Sequence, residues 1–194
     1  PFYVSSKVAG QIRVLLDDPK SRQLRLWDGT SGKRIALRRP GRAPVQRGAF
    51  RFSPSEDFVY ASFLDKTVSV WSSRDGSPII AAAQHGLAVN QIGISADSKW
   101  VAMTSRAERA IAWLAVTKGK PKLQRMDVGF PINSLYFHPE DPLVLLVGRN
   151  DKEGFAKVIN LQTAKVVAAI AQEKLSASSN RPMSGFIYLG RHSG

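Results

Sequence analysis

A chain of 194 residues with 28 Lys+Arg against 15 Asp+Glu carries a formal net charge of +13, a field that attracts polyanions but says nothing of fold. Its 43% apolar residues are enough for a core, yet no run approaches the ~18 apolar residues of a membrane-spanning helix. The absence of cysteine excludes disulfides and thiolate metal sites. The chain opens at Pro1 without a basic-then-apolar leader, which fits a processed chain or an excised piece.

In chain order, the first repeat reads as strands at Phe2–Ser5, Gln11–Leu16, Leu24–Trp27 and Arg34–Leu37. The second has Gly48–Phe52, Phe58–Phe63, Thr67–Trp71 and Pro78–Ala82, with SRDGS reversing the chain before the last strand. The third has Val89–Ile94, Trp100–Thr104, Ala110–Ala115 and Lys122–Val128. The fourth has Asn133–Phe137, Leu143–Val147, Ala156–Asn160 and Val166–Ala171. A polar, turn-rich connection, Glu173–Pro182, then leads to Met183–Gly190, read as the first strand of a further repeat.

Two landmarks keep one beat. Trp27 in LRLWD, Trp71 in VSVWS and Trp113 in AIAWL are 44 and 42 residues apart. FSP at Phe52–Pro54, ISA at Ile94–Ala96 and FHP at Phe137–Pro139 are 42 and 43 apart. A period of ~40–45 residues with four strands per unit is that of a propeller blade. The expectation is an all-β chain of four-stranded antiparallel blades. Residues 1–46 form blade 1 and its connection, 47–83 blade 2, 84–128 blade 3, 129–171 blade 4, and 172–194 the start of a further blade. The three tryptophans recur at matched positions and are expected to pack between blades. Trp100 breaks that pattern and reads as core or as a partly exposed anchor.

LRLWDGTSGK (Leu24–Lys33), with its Trp27–Asp28 pair, and FSPSEDFVYASFLDKTVSVW (Phe52–Trp71) resemble the WD-repeat β-propeller family. The resemblance spans about residues 11–171. It implies that Asp65, six residues before Trp71, is a structural carboxylate that bonds back into the blade core. The family's Gly-His pair has no clean match; QHG at Gln84–Gly86 stands in that region in reversed order. Four blades do not close the seven-bladed ring most common in the family. The chain therefore reads as an incomplete ring or part of a larger propeller, with the remaining blades supplied by the same chain or by a partner, or else as a rare small ring.

Catalytic patterns are missing. His85, His138 and His192 have no metal-ligand spacing and read as turn residues. No G-x-S-x-G elbow is present. GTSGK (Gly29–Lys33) lacks the four-residue gap of a phosphate loop. Asp17–Asp18 and Glu140–Asp141 read as turns. No enzyme activity, cofactor or metal is expected of this chain.

In a propeller the d–a and b–c connections open on one face, and the a–b and c–d turns on the other. The first face is expected to carry Arg39, Arg42, Arg47, Arg106, Arg109, Arg149, Lys152, Lys174 and Arg181. The opposite face is expected to carry Lys33, Arg74, Lys99, Lys118, Lys120 and Lys165. The densest cluster, KRIALRRPGRAPVQR (Lys33–Arg47), holds six cations and no acid. The candidate partner-binding residues are Arg38, Arg39, Arg42, Arg47, Arg106, Arg109, Arg149 and Lys152, because the guanidinium fork suits phosphate and carboxylate. The expected function is a non-catalytic interaction scaffold among other protein subunits, its basic face contacting acidic protein or RNA. A ribonucleoprotein subunit in an intracellular setting, cytoplasmic or organellar, is one form of it. The alternative is the sensor or regulatory propeller of a larger enzyme, such as a protease or kinase.

Overall fold

The computed structural model describes residues 2–8, 11–18, 24–38, 43–117, 121–150 and 153–174. The expected further blade at Met183–Gly190 lies outside them, as do Lys118, Lys120, Arg181 and His192. Sixteen strands and no helix are present among the described residues, and so no helix there is long and apolar enough to cross a membrane.

Four antiparallel sheets of four strands each follow one another along the chain. Blade 1 is β1 (Phe2–Val8), β2 (Gln11–Asp17), β3 (Leu24–Asp28) and β4 (Arg34–Ile35). Blade 2 is β5 (Val45–Phe52), β6 (Phe58–Phe63), β7 (Thr67–Ser72) and β8 (Pro78–Gln84). Blade 3 is β9 (Gln91–Ile94), β10 (Trp100–Ser105), β11 (Ala110–Ala115) and β12 (Gln124–Asp127). Blade 4 is β13 (Ile132–Phe137), β14 (Leu143–Arg149), β15 (Glu153–Asn160) and β16 (Lys165–Lys174). The first strands of successive blades lie side by side, β5 beside β9 and β9 beside β13, as spokes do near an axle.

The turns repeat with the strands. Ser53 and Ser95 each close an a–b turn by donating the backbone N–H to Phe58 O and Trp100 O, both at 2.9 Å, and each serine hydroxyl takes the N–H of that same residue. His138 holds the third copy, its N–H on Leu143 O at 2.9 Å and its Nδ1 accepting from Glu140 N and Asp141 N. The FSP, ISA and FHP landmarks are thus one turn built three times. Glu56 and Ser98 take the left-handed conformation at the same place within it, with φ of 61° and 58°.

Alternation along each strand gives every blade two apolar faces. Leu15 and Leu26 of blade 1 meet Val59, Phe50 and Trp71 of blade 2. Tyr60, Val68 and Val70 on the other side of blade 2 meet Val101, Ala112 and Leu114 of blade 3. Ala102, Ile111 and Trp113 on the far side of blade 3 meet Val144, Leu146 and Ile159 of blade 4.

The register corrects one expectation. Trp27 pairs with Val14 and Trp71 with Val59, but the residue paired with the corresponding Val101 is Leu114, not Trp113. The b–c turn is three residues in blade 2 (Leu64–Lys66) and four in blade 3 (Arg106–Arg109). One extra residue moves every following side chain to the opposite face. Trp71 therefore faces back to blade 1 and Trp113 forward to blade 4, while Trp27 and Trp71 remain in phase. Small answers large in the swap: Tyr60 lies across from Val70, and Ala102 across from Trp113.

Both buried indoles still find an acceptor in the neighbouring blade. Trp71 Nε1 donates to Arg38 O at 2.8 Å, and Trp113 Nε1 donates to Leu161 O at 2.8 Å. Trp100 is half-buried against the cluster between blades 3 and 4. Further cross-blade links are Arg13 Nε to Ser73 O at 3.2 Å, Gln46 Nε2 to Val89 O, and Gln91 Nε2 to Asn133 O at 2.8 Å. Replacing Trp113 with Phe leaves Leu161 O unpaired at a buried seam. A loss of about 2 kcal/mol, read from the urea midpoint at constant m, is expected.

Candidate partner-binding face

In blades 2 and 3 backbone bonds join the b–c turn to the d–a connection beside it, so both open on one face, as topology requires. His85 N donates to Lys66 O at 2.9 Å, and Val128 N donates to Arg109 O at 2.8 Å. Lys66 and Arg109 are equivalent turn residues, both left-handed, with φ of 62° and 52°. An asparagine at the entry of strand a then holds the start of the b–c turn. Asn90 Oδ1 accepts from Arg106 N at 2.7 Å, and Asn133 Oδ1 accepts from Arg149 N at 3.1 Å. This clamp recurs 43 residues apart and sets an arginine at the same place in blades 3 and 4.

Arg106 and Arg109 line an open recess of about 480 Å³ with Ala88, Asn90, Ala107 and Pro131. Glu108, between them in sequence, is turned inward. Its Oε1 accepts from Ala88 N at 3.2 Å, and its carboxylate lies 3.8 Å from both Lys66 Nζ and Arg125 Nη2. Arg106, Arg109 and Arg149 are exposed, and no ion pair is formed by them among the described residues. The result is a cationic rim over small apolar walls, without an aromatic platform for a base.

The other candidates separate from this group. Arg38 is exposed, but its carbonyl is bound to Trp71, which stands at the end of β7 leading into the c–d turn. That is the end remote from Arg106 and Arg109, so Arg38 does not join them. Arg47 falls within β5, and its side chain lies outside the described residues, as do Arg39, Arg42 and Lys152 altogether.

Asp65, which the family resemblance implies to bond back into the blade core, acts electrostatically on the buried His85 of its own blade. It is exposed, and its Oδ1 accepts from Thr67 N at 3.2 Å and from Thr67 Oγ1 at 2.6 Å, which ties the b–c turn to the start of β7. Asp28 does the corresponding work at a c–d turn. It accepts from Thr30 N and Ser31 N, bonds that hold its carboxyl below the usual range, and it pairs with Arg13 at 3.3 Å.

The residue that sequence reasoning undervalued is His85. It is buried, its Nε2 lies 3.0 Å from Ser62 Oγ, and its Nδ1 accepts from Leu87 N at 3.1 Å. QHG reads in sequence as a turn, and the structure buries its histidine against strand b of its own blade. Blade 3 keeps half of the pair. Thr104 occupies the position of Ser62, but Val128 occupies that of His85, and Thr104 Oγ1 is buried without a partner. Among the described residues no cluster of three His, Asp, Glu or Cys could hold a metal.

No family model matches the chain, and no curated protein matches it. Solved structures do. It is similar to Kuenenia stuttgartiensis hydrazine synthase, with TM-score 0.60 and 15% identity over 84% of this chain and 46% of that one. It is similar to the Myceliophteria thermophila Cps50 (Swd1) β-propeller domain, with TM-score 0.57 and 14% identity over 84% and 57%. It is also similar to the computationally designed Ika8 protein, with TM-score 0.61 and 14% identity over 88% and 49%. The chain spans about half the length of these structures, and its fold is that of an open arc of β-propeller blades.

Two outcomes follow from the buried pair and its remnant. Burial holds His85 down to about 4 from an ordinary 6.5, so the unfolded chain takes up the proton first as pH falls. The neutral form's contribution is complete above pH 6.5 and is lost progressively down to about pH 4, by at most about 3 kcal/mol. Urea titrations of wild type and His85→Gln across that window check it, the variant showing the shallower pH slope. Thr104→Val removes an orphaned hydroxyl at nearly constant shape and is expected to raise stability by up to about 1 kcal/mol in the same assay.

Proposed function

We propose that this chain is a non-catalytic interaction module, a rigid set of blades whose b–c and d–a loops dock an anionic partner. The observation that carries the reading is the withdrawal of Glu108 from the recess, which leaves Arg106 and Arg109, with Arg149 one blade on, free for an external acid. Those guanidinium groups suit protein carboxylates or RNA backbone phosphates, both of which accept the bidentate fork. Contact with bases is disfavoured, since the recess has small aliphatic walls and no ring to stack on. A ribonucleoprotein subunit remains one form of this proposal, favoured by the net charge of +13. A regulatory propeller within a larger enzyme is the second reading, supported by the likeness of the fold to part of hydrazine synthase.

The test is binding of single-stranded RNA and of an acidic polypeptide across a salt series. Reversal of Arg106, Arg109 and Arg149 to Glu is expected to weaken the true ligand at least about tenfold and to reduce the salt slope by about 2 to 3. The same reversal at Lys33, Arg74 and Lys165, on the opposite face, is expected to leave it unchanged. RNA binding that is independent of salt overturns the RNA form, and equal loss from both faces overturns the site.

A further inference from the structure

Blade 2 sets a leucine in water where turn chemistry favours a polar residue. Leu64 opens the b–c turn Leu64–Lys66 and is 51% exposed. Asp, Asn, Ser and Gly are the usual occupants of so short a reversal. The turn is firmly held. Leu64 N donates to Pro44 O and Lys66 N to Phe63 O, both at 3.0 Å, while Asp65 O accepts from Gln84 Nε2 at 3.1 Å. Large apolar side chains also stand exposed at Ile12, Tyr136, Val166, Val167 and Ile170, all on strands of blades 1 and 4. Leu64 differs from them in lying in a turn, on a blade packed against blade 1 on one side and blade 3 on the other.

The leucine and the arginine recess share one surface. Glu108 joins them, its Oε1 lying 3.8 Å from Lys66 Nζ and accepting from Ala88 N at 3.2 Å. Lys66 stands in the same turn as Leu64, and Ala88 is a wall of the recess. The exposed groups therefore run from Leu64 through Lys66 and Ala88 to Arg106, Ala107 and Arg109, apolar and cationic side chains interleaved on one face. A nucleic-acid backbone is anionic at every unit, so it engages the arginines and leaves Leu64 in water, and a base finds no ring there to stack on. A polypeptide carries both carboxylates and aliphatic side chains, and in extended form residues i and i+2 point to the same side.

The premise is the anion-binding role given to this face under Proposed function. From it we propose that the partner is an extended acidic segment of another protein, and that Leu64 is the apolar anchor that selects it. An Asp or Glu of the segment takes the guanidinium fork of Arg106 or Arg109. An aliphatic side chain an even number of positions away, on the same side of the segment, covers Leu64 and the apolar stem of Lys66. The small walls at Ala88, Ala107 and Pro131 let the segment's backbone approach the turns closely. The cations attract any polyanion alike. The leucine discriminates among them, because it gains only from an anion that also brings apolar surface.

Binding of three probes to the full chain across a salt series tests this: polyglutamate, a random glutamate–leucine copolymer of equal length, and oligouridylate. Charge alone ranks polyglutamate above the copolymer, which carries fewer carboxylates. The opposite order is expected, with the copolymer bound about fivefold more tightly. Leu64→Ser, at an exposed position, is expected to erase that preference with the salt slope and the urea midpoint unchanged, and Leu64→Met to keep it. Arg106→Glu together with Arg109→Glu is expected to weaken both polypeptides and flatten the slope. Polyglutamate bound as tightly as the copolymer overturns the proposal, as does a preference that survives Leu64→Ser, or oligouridylate bound more tightly than either polypeptide; in each case the anion-binding face stands. Failure of all three to bind, or binding indifferent to the arginine reversals, overturns the anion-binding face and the proposal together.

Discussion

A blade with two apolar faces cannot stand alone, and the remainder of this structure follows from that constraint. Four strands supply too little area to bury their own side chains, so each sheet is stabilised only between neighbours. The core is consequently three separate seams rather than one centre. Val14, Val59, Val101 and Val144 mark the same strand-b position in the four blades, and three of them are sealed by the preceding blade. Indole-to-carbonyl bonds at two seams add direction to a contact that apolar packing alone leaves free to slide.

The seams have tolerated a change of hand. One additional residue in the b–c turn of blade 3 carries Trp113 to the opposite face from Trp71, and Ala102 opens the space that Tyr60 fills in blade 2. Across the forward pair, Tyr60 with Val70 in blade 2 and Ala102 with Trp113 in blade 3, volume is nearly kept while the identities exchange, the kind of substitution a packed interior accepts at least cost. Blade 3 also retains a threonine whose histidine has become Val128. Blade 2, with His85 held neutral against Ser62, keeps the polar pair whole. Similar backbones are thus held by different side-chain solutions.

The same turns that seat the blades present the candidate binding residues. Asn90 and Asn133 fix the backbone of Arg106 and Arg149, and Glu108 bonds Ala88 rather than its neighbouring arginines. Positive charge on this face is therefore placed by the rigid scaffold and not by a loose loop. The arginine-dense connection before blade 2 is a different matter, since Arg38 stands at the other end of the blade with its carbonyl committed to Trp71.

The sequence by itself determined the strands, the four-blade period and the turn chemistry. Those are local properties: side-chain alternation, Asp, Ser and Gly at reversals, and a landmark that recurs every 42 to 43 residues. It also determined the excess of basic charge. Only the tertiary structure decided which face each tryptophan serves, because a single turn residue inverts every later side chain and no periodicity count registers so small a shift. It alone decided that Asp65 ties its own turn, that His85 is core, and that Arg106 and Arg109 share a recess while Arg38 does not. His85 against Ser62, Trp71 and Trp113 on their carbonyls and the arginine turn on Asn90 each depend on a partner placed within about 3 Å from far along the chain, and such proximity is not written in the order of the residues.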